Sequence, residues 1–227
     1  MLEPGEAEFS RVLEDWRATC GTARTSVSDW ERDIRTLVDE ERSLRTDGAW
    51  LHGRDDLFGV LGINRAEIRH SAMIAWLLDP SARHGLGTRF LDSFLERAFN
   101  RAFEDTDRAR TTCEVAREEC RADIVVDTPT WNIIIENKVD ANESPRQCDI
   151  LYERFAREGI ARFVFLTPSG RKPESASGEA AAAFASLGYR DVRDLLARAL
   201  CSTPAAQSSR GRHIAEDYLR TLEREFR

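Results

Sequence analysis

The sequence predicts one α/β domain with a mixed sheet and additional helices at both ends. Apolar residues in the first hundred or so positions recur at intervals of three and four, which is the helical period. Between residues 111 and 138 the pattern changes to three consecutive strand-like runs. Another helical segment and a further strand-like run follow. This order of helix, three strands, helix and strand favours an α/β fold.

The first part of the chain predicts four helices. Residues 6–46 carry two of them, and a loop separates these from a third helix at residues 65–78. The third helix should stop at Asp79, because the proline that follows disfavours helical conformation there. Thr88 is the expected N-cap of a fourth helix at residues 89–103. The apolar faces of the first two helices consist of Phe9, Val12, Leu13 and Trp16, and of Val27, Trp30, Ile34, Leu37 and Val38.

The central part predicts three strands and a helix. The helix has Ser144 at its N-cap and Pro145 at its first position, where a missing N–H costs nothing. The strands cover residues 111–119, 121–127 and 132–138, and the helix covers residues 144–159.

In the last third, the pattern predicts a strand at 161–167, a loop at 168–178 and a helix at 179–188. It then predicts a short strand at 189–192, a helix at 193–201 and a final helix from about 205 to 227. Neither a repeat nor a low-complexity linker divides the chain. We expect residues 1–50, which carry the first two helices, to form a helical extension, and residues 51–227 to form the domain.

Composition limits the classes of function. The chain has 41% hydrophobic and 32% charged residues, and no apolar run is long enough to span a membrane. The acidic N-terminus lacks the apolar core of a signal peptide, so we expect a cytoplasmic protein. Five cysteines without a C-x-x-C pair argue against a disulfide framework or a zinc site. A net charge of −7 means that any nucleic-acid contact requires a local basic patch.

Charged residues directly follow a buried apolar strand in the stretch WNIIIENK, residues 131–138. Such charges are costly unless they are paired or bind something. Glu136 and Lys138 are two apart and point to one side, and Asp123 lies on the face of its own strand opposite Ile124. If the two strands form a hairpin, the three side chains converge at one edge of the sheet. Two carboxylates beside a lysine suit phosphodiester hydrolysis, because carboxylates hold Mg²⁺ and an ammonium orients water or stabilises developing charge.

The use of lysine supports this interpretation. The 33 basic residues include 31 arginines, and lysine occurs only at positions 138 and 172. Arginine is always protonated, whereas lysine is a compact charge with an adjustable pKa. One of the two lysines stands two residues after Glu136.

These residues resemble the signature of the PD-(D/E)XK nuclease superfamily, in which an aspartate precedes a Glu-x-Lys segment. Here Asp123 is followed thirteen residues later by Glu136-Asn137-Lys138. The stretches EIRHSAMIAWLLDPSARHGLGTRFLDSFL, IIIENKVDANESPRQ and FVFLTPSGRKP resemble the branch catalogued as family 4, from about residue 57 onward. The resemblance implies a restriction-endonuclease-like core, an α-β-β-β-α-β arrangement with a mixed sheet flanked by helices.

The resemblance also implies roles for individual residues. Asp123 and Glu136 would be metal ligands and Lys138 the catalytic lysine. Glu67, on the helix before the sheet, corresponds to an acidic residue that many members contribute to the metal site. The backbone carbonyl of Asn137 commonly completes the coordination of Mg²⁺ or Mn²⁺.

On the following helix, Gln147 matches a glutamine that often supports the site in related nucleases. Two positions depart from the family pattern. Ala122, not proline, precedes Asp123, and Tyr152 comes one residue later than the tyrosine that usually follows the glutamine. The resemblance therefore gives Tyr152 no role.

Purely structural roles for these residues stay open. Glu136 and Lys138 could be a surface ion pair that caps a strand and adds little stability. Glu67 could form a salt bridge on the surface of its helix. Gln147 could bond the backbone at a helix start.

Histidines and further basic residues also have two interpretations each. His70 lies one turn from Glu67, but a structural hydrogen bond is the more common role, and His84 is expected to fix its loop. Four basic residues around the helix and the loop after the fourth strand are predicted to form a local patch that binds phosphates. The same residues could equally form an ordinary solvent-exposed face. The set is Lys172, Arg146, Arg154 and Arg157.

The sequence thus predicts a Mg²⁺- or Mn²⁺-dependent endonuclease whose partner is nucleic acid, with DNA expected, and with no membrane association. The resemblance suggests a role in bacterial defence or genome maintenance. The alternative is a catalytically inactive module with a nuclease-like fold that binds nucleic acid or another protein. Homo-oligomerisation, strand preference and sequence specificity are left open.

Overall fold

Two units make up the chain, Met1–Gly53 and Arg54–Arg227. The structure, a computed structural model, describes residues 27–49, 51, 53–117, 120–156, 160–203 and 210–227. In the first unit, helix α1 covers Val27–Thr46, as predicted, and its residues Ile34 and Leu37 are exposed. The first predicted helix, around Phe9 to Trp16, lies outside the described residues. The predicted division into residues 1–50 and 51–227 stays a prediction.

A five-stranded mixed sheet forms the centre of the second unit, with the strands in sequence order across it. The pairs β1–β2 and β2–β3 are antiparallel, and the pairs β3–β4 and β4–β5 are parallel. The α/β class, the three consecutive strands and the fourth strand are thereby confirmed. The strands are β1 (Arg110–Arg117), β2 (Cys120–Asp127), β3 (Asn132–Asn137), β4 (Ala161–Thr167) and β5 (Phe184–Gly188).

Helices cover both faces of this sheet. They are α2 (Leu57–Val60), α3 (Glu67–Leu78), α4 (Arg89–Phe99), α5 (Gln147–Phe155), α6 (Gly178–Ala183), α7 (Tyr189–Ser202) and α8 (Arg210–Glu225), with a 3-10 turn at Thr106–Arg108. Among the described helices, none combines the length and apolar character needed to cross a bilayer.

Covering on both faces explains the three consecutive isoleucines of β3. Ile133 and Ile135 pack into the larger core with helices α3, α4, α7 and α8, and Ile134 packs into a smaller core under helix α5. A strand that is buried on both faces has no polar side to present. Alternation then sends Glu136 and Lys138 to the side of α5, and Asn137 to the side of α3 and α7.

The region after β4 differs from the prediction. The helix predicted at residues 179–188 ends at Ala183, and Phe184–Gly188 pairs with β4 as β5. The short strand predicted at residues 189–192 is instead the start of α7. Alanine-rich sequence favours a helix locally, but burial of Phe184 and Leu187 against the free edge of β4 overrides this preference.

Helix ends differ from the prediction as well. Helix α5 begins at Gln147, after Arg146 in the left-handed conformation (φ 57°), so Ser144 is not its N-cap. Helix α4 ends at Phe99 instead of residue 103, because Asn100 is left-handed (φ 53°). Thr88 precedes α4 without a side-chain capping bond. Helix α2 lies within the stretch predicted as a loop, where the side chain of Asp56 caps it by accepting a bond from the N–H of Gly59.

Candidate active site

Glu136 and Lys138 meet where β3 ends. The side chain of Glu136 is 1% exposed and that of Lys138 is 11% exposed. The ammonium Nζ of Lys138 lies 2.8 Å from Oε1 of Glu136 and 3.3 Å from Oε1 of Glu67. A surface ion pair would be largely exposed, whereas both of these side chains are buried. Glu136 and Lys138 are therefore not a surface ion pair that caps the strand.

Asp123 reaches the same place from β2. The register pairs Ile124 with Ile135, so the next pair in the antiparallel ladder would be Asp123 and Glu136. The carboxylate of Asp123 accepts a hydrogen bond from the backbone N–H of Asn137 at 2.7 Å. The hairpin assumed from the sequence therefore exists and brings these residues together.

Glu67 is the first residue of α3 and faces the end of β3. Its Oε2 accepts a hydrogen bond from the backbone N–H of Val139 at 3.0 Å, and its Oε1 pairs with Lys138. A helix N-terminus favours a carboxylate at this position. Glu67 thus joins α3 to the segment that carries the lysine.

The side chain of Asn137 points to the opposite face and is fully buried. Its Nδ2 donates to Oγ of Ser71 at 2.9 Å and to the carbonyl of Glu67 at 3.3 Å, and its Oδ1 accepts from the hydroxyl of Tyr189 at 2.9 Å. Sequence reasoning assigned only the carbonyl of Asn137 a role and missed this side-chain link. The predicted role of the carbonyl stays a prediction.

Gln147, at the start of α5, contacts the buried carboxylate directly. Its Nε2 donates to Oε1 of Glu136 at 2.5 Å, and its Oε1 accepts from the backbone N–H of Ser144 at 3.1 Å. The amide thereby orients Glu136 from the side opposite the strand.

Burial sets the electrostatics of the site. Desolvation raises the pKa of Asp123 to about 6, although the N–H of Asn137 opposes the shift. Desolvation and then repulsion from Asp123 raise the pKa of Glu136 to about 8. Desolvation would lower the pKa of Lys138, but attraction from Glu136 outweighs it and the pKa is raised. The cluster therefore holds a protonated lysine beside two carboxyl groups that resist carrying full negative charge.

One oxygen in this cluster lacks a hydrogen-bond partner within the described parts of the chain. Among the described residues, Oε2 of Glu136 is buried and accepts no hydrogen bond. In the same part of the chain, no three His, Cys, Asp or Glu side chains gather closely enough to hold an ion by themselves. Mg²⁺ commonly binds through one or two carboxylates and keeps several waters. Two carboxylates with one free, desolvated oxygen fit such an ion.

The cluster opens into a cleft of about 670 Å³, hereafter the catalytic cleft, which Glu67, Asp123, Lys138 and Gln147 line. Its other basic side chains are Arg65, Arg69 and Arg121, which the sequence analysis did not single out. Arg121 is two residues before Asp123 on one strand, so alternation could have predicted that both face the cleft. The arginines at 65 and 69 flank Glu67, and this proximity could have predicted their position.

The predicted basic patch does not form the wall of this cleft. Arg146 pairs with Glu153 at 2.7 Å, and Lys172 is exposed on the loop after β4. Neither they nor Arg154 line the catalytic cleft, and Arg157 lies outside the described residues.

Both histidines considered earlier have structural partners. His70 is fully buried, with Nδ1 2.8 Å from the hydroxyl of Tyr218 and Nε2 3.0 Å from the carbonyl of Asn64. Desolvation lowers the pKa of His70. His84 bridges the carbonyl of Asp79 and the N–H of Leu86 within its loop. These contacts hold backbone segments in place and leave neither imidazole at the catalytic cleft.

Comparison with known proteins gives one match. The model of a family described as the PD-(D/E)XK nuclease superfamily matches residues 55–220. No curated protein and no solved structure shows a significant match. The matched region contains Glu67, the hairpin of β2 and β3, and the start of α5.

Proposed function

The chain belongs to the PD-(D/E)XK nuclease superfamily, and from this premise we propose that it is a divalent-metal-dependent endonuclease that hydrolyses phosphodiester bonds in DNA. The observation that carries the proposal is the buried oxygen Oε2 of Glu136, which has no hydrogen-bond partner among the described residues and lies next to Asp123 and Lys138. An unpartnered carboxylate oxygen in such a place is costly unless something binds it.

Mg²⁺ or Mn²⁺ is the ion that these oxygens fit. Asp123 and Glu136 would hold it, with Glu67 contributing directly or through a water and the carbonyl of Asn137 completing the set. When bound, the ion polarises the phosphoryl group and acidifies a water.

Lys138 acts as a fixed cation in this proposal. Because its pKa is raised, it stays an ammonium that donates hydrogen bonds to a water or a phosphate oxygen and stabilises the negative charge that develops there. Gln147 holds Glu136 in orientation through its Nε2. The setting we propose, bacterial defence or genome maintenance in the cytoplasm, follows from the superfamily and the sequence alone.

The test compares the two lysines of the chain. Purified wild-type protein is incubated with plasmid, short duplex DNA and RNA, with and without Mg²⁺ or Mn²⁺. Lys138→Met and Asp123→Asn are expected to lower the rate at least ~100-fold, since the first removes the cation that stabilises charge on the phosphate and the second removes a ligand of the ion. Lys172→Met, which removes the exposed lysine, is the matched control and should cleave as wild type does. Cleavage that survives Lys138→Met would contradict the proposal.

A further inference from the structure

Three depressions adjoin one another along one edge of the sheet. The catalytic cleft shares Arg65, Lys138 and Asp140 with a second depression of about 380 Å³. The second shares Pro168 and Ser169 with a third of about 620 Å³. We call the three together the edge groove.

The edge groove follows the ends of the parallel strands. Strands β3, β4 and β5 end at Asn137, Thr167 and Gly188, and its walls include the loops after β3 and β4 and the start of α7. Ligands of open α/β sheets bind at this carboxyl edge. Neighbouring strands lie about 4.8 Å apart, so the passage from β3 to β5 spans about 10 Å. This is the length of about three nucleotide steps along a duplex.

Two glycines bring backbone segments close together at the far end of the groove. Gly170 (φ 70°) and Gly188 both line the third depression, and a Cβ on Gly170 would lie 3.2 Å from the backbone nitrogen of Gly188. The positive φ and the close approach both require glycine at position 170.

Charge distinguishes this edge from the rest of the molecule. Among the described lining residues of the edge groove, basic side chains outnumber acidic ones by eight to four, in a chain with net charge −7. Two of the acidic residues belong to the proposed metal site. The other two, Asp140 and Asp191, pair with Arg65 and Arg97.

The end of the groove beyond β5 carries two further arginines. Arg190 and Arg227 are exposed, and Arg190 donates to a main-chain oxygen of Arg227. A basic strip on an acidic protein is the footprint of phosphate binding.

We propose that a nucleic-acid strand lies along the edge groove, from the catalytic cleft past the ends of β4 and β5, and that Arg190 and Arg227 contact its phosphates. The proposal rests on the proposed function for the point where the strand is cut. It adds the direction in which the substrate extends, which is away from Arg69 and Arg121, since these line the catalytic cleft but neither of the other two depressions.

Binding is measured without turnover, by fluorescence anisotropy of labelled duplex DNA and of duplex RNA in EDTA, over a series of salt concentrations. The double variant Arg190→Ala/Arg227→Ala should bind about tenfold more weakly or worse. The slope of log K against log salt should fall in magnitude by about two. Arg198→Ala is the control, because Arg198 is exposed on the same helix α7 and does not line the groove.

Separate outcomes distinguish this proposal from the proposed function. Lys138→Met should lose cleavage and keep binding, whereas the double arginine variant should lose binding and regain the wild-type rate at saturating substrate. If the wild type binds but cleaves nothing, the proposed function fails and the groove is still tested by binding. Unchanged affinity and salt slope in the double arginine variant would overturn the groove, and a loss confined to Arg69→Ala/Arg121→Ala would place the substrate on the other side.

Discussion

Asn137 joins the two layers that meet at the candidate active site. Its neighbour Lys138 lines the catalytic cleft and pairs with the buried Glu136, whereas the side-chain amide of Asn137 lies on the other face of the sheet and uses both donors and its acceptor. Since one of those donors holds the carbonyl of Glu67, the side chain fixes the helix that carries the third carboxylate. This explains why an amide stands between two ionisable residues.

Asn137→Asp should therefore destabilise the protein by about 2 kcal/mol or more, because it replaces a buried donor by an oxygen that faces the Ser71 hydroxyl and the Glu67 carbonyl. Chemical denaturation of the variant measures the effect. Tyr189→Phe removes only the bond to Oδ1 and should cost about 1 kcal/mol, which makes it the matched comparison. An Asn137→Asp protein as stable as the wild type would show that the amide network is not important.

The pKa values of Asp123 and Glu136 predict how metal binding depends on pH. Both are raised, from 3.8 to about 6 and from 4.5 to about 8, so the folded metal-free protein holds more protons than the unfolded chain in this range. The contribution of these groups to stability is full at low pH and is lost as the pH rises through these values. A divalent cation binds the deprotonated carboxylates. Its charge then offsets the free-energy cost of burying two negative groups at high pH.

We therefore expect the increase in Tm on adding Mg²⁺ or Mn²⁺ to be small near pH 6 and larger near pH 8, the two values to which these groups are shifted. Thermal unfolding with and without the ion, across that range, provides the measurement. The Asp123→Asn/Glu136→Gln protein should show no metal-dependent shift. An increase that is equal at both pH values would contradict the assignment of these carboxylates.

At the scale of elements, the loop after β4 takes over the capping of α5. Glu143 accepts hydrogen bonds from the N–H of Ser175 at 2.8 Å and of Glu174 at 3.0 Å, and it pairs with Arg171. Oγ of Ser175 in turn accepts a bond from the N–H of Cys148 at 3.1 Å. The N–H groups of Cys148 and Asp149 at the start of α5 are thus satisfied from a distant loop, and this contact fixes the helix that carries Gln147.

Glu143→Gln tests this fastening. Burial opposes the charge of Glu143, but hydrogen bonds from Ser175 and Glu174 and the contact with Arg171 lower its pKa from 4.5 to about 2. Its stabilisation is complete above the ordinary value and is lost as the pH falls toward about 2. The variant should lose about 2 kcal/mol at neutral pH and part of the acid dependence of unfolding, as measured by denaturation at several pH values.

Glu174→Gln is the control for that experiment, because the side chain of Glu174 is 82% exposed and meets the same arginine at 3.6 Å. It should change stability by less than about 0.5 kcal/mol. If both variants lost the same free energy of unfolding, the buried contacts of Glu143 would stabilise the protein no more than the exposed contact of Glu174.

How far the sequence could predict this molecule depends on the range of the interactions. The run of three isoleucines and the two-residue spacing of Glu136 and Lys138 are local, and they predicted β3 and the convergence with Asp123. The start of α5 depends on Ser175, and β5 depends on the open edge of β4, so local preference predicted both wrongly. The arginines at 190 and 227 come together only through the packing of α7 and α8 and leave no signal in either segment.

At the scale of the whole molecule, the start of the second unit is tied to its end. Asp56 is 1% exposed and accepts a hydrogen bond from Thr221 on α8 at 2.8 Å. Arg54 pairs with Glu225. Phe58 packs against the rings of His70 and Tyr218, with centroids 5.1 and 5.3 Å away. The domain therefore needs the segment from residue 54 onward.

Two truncations test whether the second unit is an independent domain. A protein of residues 54–227 keeps every contact of Arg54, Asp56 and Phe58 just described, so it should unfold cooperatively and cleave with the same metal requirement as the full chain. A protein of residues 59–227 differs by only five residues, but it loses the cap and the first two residues of α2 and leaves a cavity beside His70. Removal of a buried phenylalanine costs about 3–5 kcal/mol, a large share of the stability of a typical domain. Circular dichroism melts of the two proteins should therefore separate clearly. If the longer protein fails to fold, residues 1–53 are part of the domain, and if both melt alike, the contacts between its start and α8 do not stabilise it.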